Sequence, residues 1–309
     1  MRRHAFFSLP VLPVLPVLIV ALAVSALASA CGDSGGGSGS SGQREYSLHG
    51  QILALSADHK EANIKHDDIK GFMPAMTMPY KVRDAKDFDA VAAGDIIDAT
   101  LVVVSNDAYL KDVKKVGQAP IEKVPEDTAP GAKSGATLLK DGQPVPNTTF
   151  LDEDGKKREL ASFKGSAVVL TFIYTRCPMP TFCPLMDRNF ATLQAKLKED
   201  KGLNVHLLTV SFDPETDTPA VLKKHAKELG ADPKMWTFLT GDLDTVDQFA
   251  GRFGLSIQRS LDENKQVNIT HNLRTAILDR EGNLVRSYTG NEWTPAQVLT
   301  DIKVLVGVD

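Results

Sequence analysis

Ala167-Val168-Val169-Leu170-Thr171-Phe172-Ile173-Tyr174 runs straight into Thr175-Arg176-Cys177-Pro178-Met179-Pro180-Thr181-Phe182-Cys183-Pro184, and the fold is decided by this stretch. The first eight residues are apolar, rich in β-branched and aromatic side chains and too short for a helix, so they predict a strand buried on both faces. Pro184 marks the start of a helix, because proline suits the first helical turn, where no backbone donor is required. The result is a strand, a loop holding two cysteines, and a helix that extends to about residue 198.

Downstream, strands are expected over 204–212 and 236–239, with helices over 219–229 and 245–253. Two further strands over 274–279 and 284–288 flank the turn Arg280-Glu281-Gly282-Asn283, and a last helix covers 295–306. This order predicts an α/β, thioredoxin-like domain over 141–309. Residues 117–140, rich in proline, glycine, alanine and charge, read as a linker. Before it, five short β-prone runs over 46–55, 61–66, 76–82, 95–104 and 109–116 predict a small all-β barrel spanning 46–116.

The beginning of the chain differs in kind. Arg2 and Arg3 precede an apolar run over 6–27, and Ala28-Ser29-Ala30 stands directly before Cys31. This is the pattern of an export signal whose cleavage leaves Cys31 for acylation, so that 1–31 is a leader and lipid attachment site. An uncleaved membrane anchor is the alternative, disfavoured by Pro10, Pro13 and Pro16, each of which removes a helical donor. Several acyl chains hold a protein stably at a membrane. The Gly/Ser stretch over 32–45 is then a tether. The expected location is the periplasmic side of a bacterial membrane.

Composition is that of a globular protein, with 42% hydrophobic and 24% charged residues in 309. Loss of the leader leaves 33 basic against 39 acidic residues, a net charge of −6, which argues against nucleic acid as a partner.

Three of the seven methionines lie in Met73-Pro74-Ala75-Met76-Thr77-Met78. Met76 and Met78 share one face of a strand, and His66 closes the preceding β-run. Thioethers with imidazole suit copper(I) better than zinc, magnesium or calcium. A lone methionine would more simply fill the core; three together point to a metal. The stretches 64–69 and 76–82 resemble the CusF family of periplasmic copper-binding proteins. That resemblance implies a five-stranded OB-type barrel with Cu+ on His66, Met76 and Met78. Met73 stands where the family often has tryptophan, and either adds a third thioether as a fourth donor or leaves the site more open.

Cys177 and Cys183 fall together in an exported chain, where unpaired thiols are disfavoured. A structural disulfide is one reading. The other is a reactive pair, with Cys183 expected to have a lowered pKa at the helix N-terminus. The run 172–178 with Cys183-Pro184, the segment Ser211-Phe212-Asp213-Pro214-Glu215-Thr216-Asp217-Thr218-Pro219, and His271 before the strand at Arg274 resemble the Sco/SenC family.

That resemblance implies Cu+ or Cu2+ on Cys177, Cys183 and His271. It also implies a role in assembling the copper centre of cytochrome c oxidase, with an oxidase subunit as acceptor. The five residues between the cysteines exceed the family's usual three. For His271 alone, a surface or capping role is the alternative. Asp213 is read as a turn residue with at most a supporting role behind the ligands, Asp217 and Thr218 as helix capping, and Trp236 as core.

Three functions follow from this. The first is a metallochaperone that takes copper at the barrel and passes it through the Cys/His domain to a cuproprotein. The second is a thiol–disulfide oxidoreductase using Cys177 and Cys183 as a redox-active pair, or a peroxidase of the same superfamily. The third is copper or silver detoxification.

Overall fold

The computed structural model describes residues 42–121, 137–200, 202–261 and 267–306. The expected leader, Cys31 and most of both the Gly/Ser tether and the linker lie outside the described residues. No helix among the described residues is long and apolar enough to cross a membrane.

Five antiparallel strands form the first sheet: β1 (Arg44–Leu55), β2 (Glu61–His66), β3 (Met76–Lys81), β4 (Asp95–Val104) and β5 (Asp107–Gln118), in the order β3-β2-β1-β4-β5. A parallel bridge between Val82 and Leu110 joins the chain after β3 to β5 and closes the sheet into a barrel. Strict alternation sets its inside: Ala62, Ile64 and His66 of β2 are buried, while the residues between them are exposed or partly so. Leu48, Ile52, Ile97, Leu101 and Leu110 fill the interior, and Phe88 of the single-turn helix α1 (Lys86–Asp89) plugs it. β5 runs to Gln118, so Gly117 and Gln118, expected in the linker, are strand residues paired with Ile96 and Asp95.

The second sheet has seven strands in the order β14-β13-β8-β9-β10-β6-β7. Third in that order, between β13 and β9, lies β8 (Ala167–Ile173), every residue of which is buried. It pairs in parallel with β9 (Val205–Ser211), and β9 with β10 (Trp236–Thr240). β13 (Arg274–Leu278) runs antiparallel to β8 and carries β14 (Leu284–Thr289) on its outer edge. Around this sheet lie α2 (Cys183–Glu199), α3 (Pro219–Glu228), α4 (Leu243–Arg252) and α5 (Pro295–Val306), with α2 against α5 and α3 against β10. Phe249 of α4 meets Phe150 at 5.0 Å and Phe172 at 6.1 Å, and Trp236 is fully buried with its indole N–H donating to Thr209 Oγ1.

Two pairs of strands depart from the sequence reading. β6 (Thr149–Asp152) and β7 (Lys157–Glu159) extend the sheet beyond β10. β11 (Ile257–Leu261) and β12 (Val267–His271) form a separate hairpin that delivers His271 at its end. All four are short and lack a long apolar alternation, so periodicity does not expose them. β12 lies beside β3 of the barrel, and Lys81 Nζ reaches Glu292 Oε1 at 3.3 Å. The barrel therefore meets the hairpin along the strands that bear the methionines and the histidine.

Candidate metal centre

The cysteine loop begins where β8 ends. Asp217, fully buried, accepts hydrogen bonds from the Thr175 backbone at 2.9 Å, the Thr175 hydroxyl at 2.5 Å and the Ser211 hydroxyl at 2.6 Å. It ties the ends of β8 and β9 together and is not a helix cap, as the sequence suggested. Thr218 does cap α3, accepting from Val221 N. Asp213 holds the guanidinium of Arg176 at 2.8 Å, fixing the residue next to Cys177 while making no contact with the thiols. Farther along, Arg188 donates to the Pro180 carbonyl and Asn291 to the Thr181 carbonyl, both at 2.8 Å. Side chains thus hold the loop at Thr175, Arg176, Pro180 and Thr181.

This shape brings three donor atoms together. One ligand atom each from Cys177, Cys183 and His271 lies within 4.8 Å of the others, and both cysteines are free thiols. Cys183 is the first residue of α2 and buried; its Sγ stands 3.9 Å from His271 Nε2. His271 Nδ1 lies 2.7 Å from the Asn272 carbonyl, which can only accept, so Nδ1 carries the proton and Nε2 keeps its lone pair for the cysteines. Asn272 is itself pinned, accepting from Ser256 N and donating to the Gly254 carbonyl. Aromatic rings hold the imidazole in place: Phe212 at 4.7 Å, Tyr174 at 5.5 Å and Phe182 at 6.0 Å, the last two edge-on.

The thiols divide their protons unequally, and not as the helix dipole alone predicts. The hydrogen bond from Cys183 outweighs the cost of burial and holds Cys177 well below the ordinary thiol value. Burial pushes Cys183 well above it, so the residue at the helix N-terminus is the protonated partner. Desolvation outweighs the dipole because Cys183 lies inside the protein rather than at a wet helix end.

One buried acid–imidazole contact near the loop was not legible in the sequence. Asp187, one turn after Cys183 on α2, meets His225 Nε2 at 3.0 Å, and burial raises its pKa while His225 opposes the rise. The signal available was an acidic residue on the stripe Cys183, Met186, Asp187, Phe190 that otherwise faces the core. Met179 is also buried in the loop, and the sequence reading gave it no role.

In the barrel, His66 pairs with Met76 and Ile64 with Met78 across β2 and β3, so the imidazole and both thioethers share the inward face. His66 and Met78 are buried, and Met76 is partly so. The geometry at His66 repeats that at His271. Nδ1 lies 2.7 Å from the carbonyl of the following residue, Asp67, and Nε2 is buried without a partner among the described residues. A buried imidazole nitrogen with a free lone pair beside two thioethers is a donor set that fits a soft metal ion. Burial also lowers the His66 pKa, which favours the neutral, ligating form. Met73 is buried with its sulfur 3.7 Å from the Tyr80 hydroxyl, at the same end of the barrel. Gly50 pairs with His66 from β1, and a Cβ there would stand 2.8 Å from His66 Cα. The backbone approach that seats the imidazole therefore needs glycine.

Comparison with known proteins follows the same division. Residues 45–115 match the family model described as "Copper binding periplasmic protein CusF". The "SCO1 protein homolog" of Bacillus subtilis is 33% identical over 173 residues, covering 55% of this chain and 87% of that protein. Among solved structures, a SCO1/SenC family lipoprotein from Bacillus anthracis aligns at 30% identity with a TM-score of 0.47, over 55% of this chain and 99% of that one. Arabidopsis thaliana ScoI, solved with copper bound, aligns at 23% identity and a TM-score of 0.47, over 53% of this chain and 98% of that one. Residues 142–307, more than half of the chain and all of the loop, helix and hairpin that gather Cys177, Cys183 and His271, match the SCO1/SenC family model, and the chain belongs to that family.

Proposed function

We propose that this chain is a copper metallochaperone, exported and tethered to a membrane through acylated Cys31. It binds Cu+ at His66, Met76 and Met78, with Met73 nearby, and Cu+ or Cu2+ at Cys177, Cys183 and His271. Its cargo goes to a cuproprotein, with a cytochrome c oxidase subunit as the acceptor that family membership favours.

The observation that carries this reading is the convergence of two sulfurs and one imidazole, from three separate elements, within 4.8 Å. Two thiolates and a neutral imidazole form a donor set suited to copper. In support, the tautomer of His271 is fixed so that Nε2 faces the thiols, and the His66 Nε2 in the barrel is buried without a partner. Copper stoichiometry of the reduced chain tests the proposal. Two ions per chain are expected, one lost with Met76→Leu/Met78→Leu and the other with Cys177→Ser/Cys183→Ser. Retention of both ions in either variant would sink the assignment.

One observation favours a second reading, thiol–disulfide exchange. Cys177 is held toward the thiolate beside a protonated Cys183, the pairing that an attacking thiolate and a second thiol would use. His271→Ala separates the two. A chaperone loses copper at the second site with that change, whereas a reductase keeps its turnover with a disulfide substrate.

A further inference from the structure

The methionine face of the barrel and the cysteine loop border one cavity. Its volume is about 30 Å³, and its walls include Met73, Met76 and Met78 from the barrel, Cys177 and Met179 from the cysteine loop and His271 from the β11–β12 hairpin. A space of that size holds little more than one water-sized body. Four thioethers, a thiol and an imidazole around a single ion-sized space are an unusual lining. Nonpolar cavities are normally walled by carbon, and this one has soft donors from the barrel on one side and from the cysteine loop and hairpin on the other.

We propose that the two donor sets are halves of one relay, in which Cu+ crosses this cavity from the thioethers to the thiolates by ligand exchange, without release into water. The inference rests on the reading of both sets as copper sites and adds that they work face to face.

No electron changes hands in the step. Cu+ leaves two neutral thioethers and the His66 nitrogen and gains two sulfur anions and the His271 nitrogen; each cysteine still carrying a proton gives it up to solvent. The direction follows from charge, since a cation is held more strongly by thiolates than by neutral sulfur. Met179, on the acceptor wall, offers an intermediate thioether. The Lys81–Glu292 ion pair, with both partners largely exposed, lies across the same junction and can be altered without touching a ligand.

The full, reduced chain tests the relay in two ways. With methyl-labelled methionine and no metal, nuclear Overhauser contacts are expected between the Met179 methyl and those of Met76 or Met78; their absence would overturn the proposal. Loading of the cysteine site from a soluble Cu+ chelate is then followed by thiolate-to-copper absorption. Met76→Leu/Met78→Leu is expected to slow loading at least ten-fold while final occupancy of that site is unchanged.

Lys81→Glu is expected to slow loading about two-fold, and Lys81→Glu/Glu292→Lys to restore it. A methionine variant that loses one copper yet loads its cysteine site at the parental rate would refute the relay and leave the two copper sites standing. A methionine variant that loses no copper would instead refute the underlying assignment.

Discussion

Asp217→Ala is the perturbation whose outcome the structure specifies most fully. The carboxylate is fully buried and accepts three hydrogen bonds, two from Thr175 and one from Ser211. Bonds to a charged group contribute roughly 1.5–3 kcal/mol each, but these three share one carboxylate and are not additive. Alanine leaves the buried Ser211 hydroxyl and the partly buried Thr175 amide and hydroxyl without that acceptor, and the expected loss is about 3–5 kcal/mol. Both tryptophans, Trp236 and Trp293, belong to the seven-stranded sheet and its surroundings, so their fluorescence in urea follows this part of the chain and is blind to the barrel. At a slope of about 2–3 kcal/mol per molar urea, the midpoint should fall by about 1–2 M. Because Thr175 lies two residues before Cys177, copper affinity at Cys177, Cys183 and His271 should also fall, by roughly ten-fold or more. A loss under about 1 kcal/mol with unchanged copper affinity would mean that the loop is held by other contacts.

Alkylation of the reduced chain should modify Cys177 first at neutral pH and below. Its thiolate is present below the ordinary thiol value, while Cys183 stays protonated until well above it; peptide mass mapping showing Cys183 modified first would contradict the assignment. His225→Ala should destabilise by about 3–5 kcal/mol at pH 7, since it strands the buried Asp187 charge. With its folded pKa raised, Asp187 costs stability once pH exceeds its unfolded value, so the deficit should shrink in urea titrations as pH is lowered toward the carboxylate range. Gly50→Ala should cost about 1–3 kcal/mol and weaken copper binding at the barrel alone, because the new Cβ would press on the strand carrying His66; unchanged affinity in a chelator competition would refute that coupling.

Sequence alone settled the elements whose signals are local and periodic. The apolar run of β8, the proline at the start of α2 and the alternation of β2 each follow from one stretch of chain, and their boundaries fall within a residue or two of those expected. Residue type pointed to His66, Met76 and Met78 as soft donors, whereas the ligand roles of Cys177, Cys183 and His271 came from the family resemblance. What the sequence could not supply was everything set by contacts distant in the chain. The β11–β12 hairpin that carries His271 to Cys183 has no strong apolar alternation. Asp217 looked like a cap because a buried carboxylate and an exposed one are identical as letters. The unequal sharing of protons between the thiols came from burial, which overrode the helix dipole that the sequence does reveal. The apposition of β3 and β12, which puts methionines, Cys177 and His271 around one cavity, depends on how the barrel packs against the β11–β12 hairpin, and no periodicity within either encodes it.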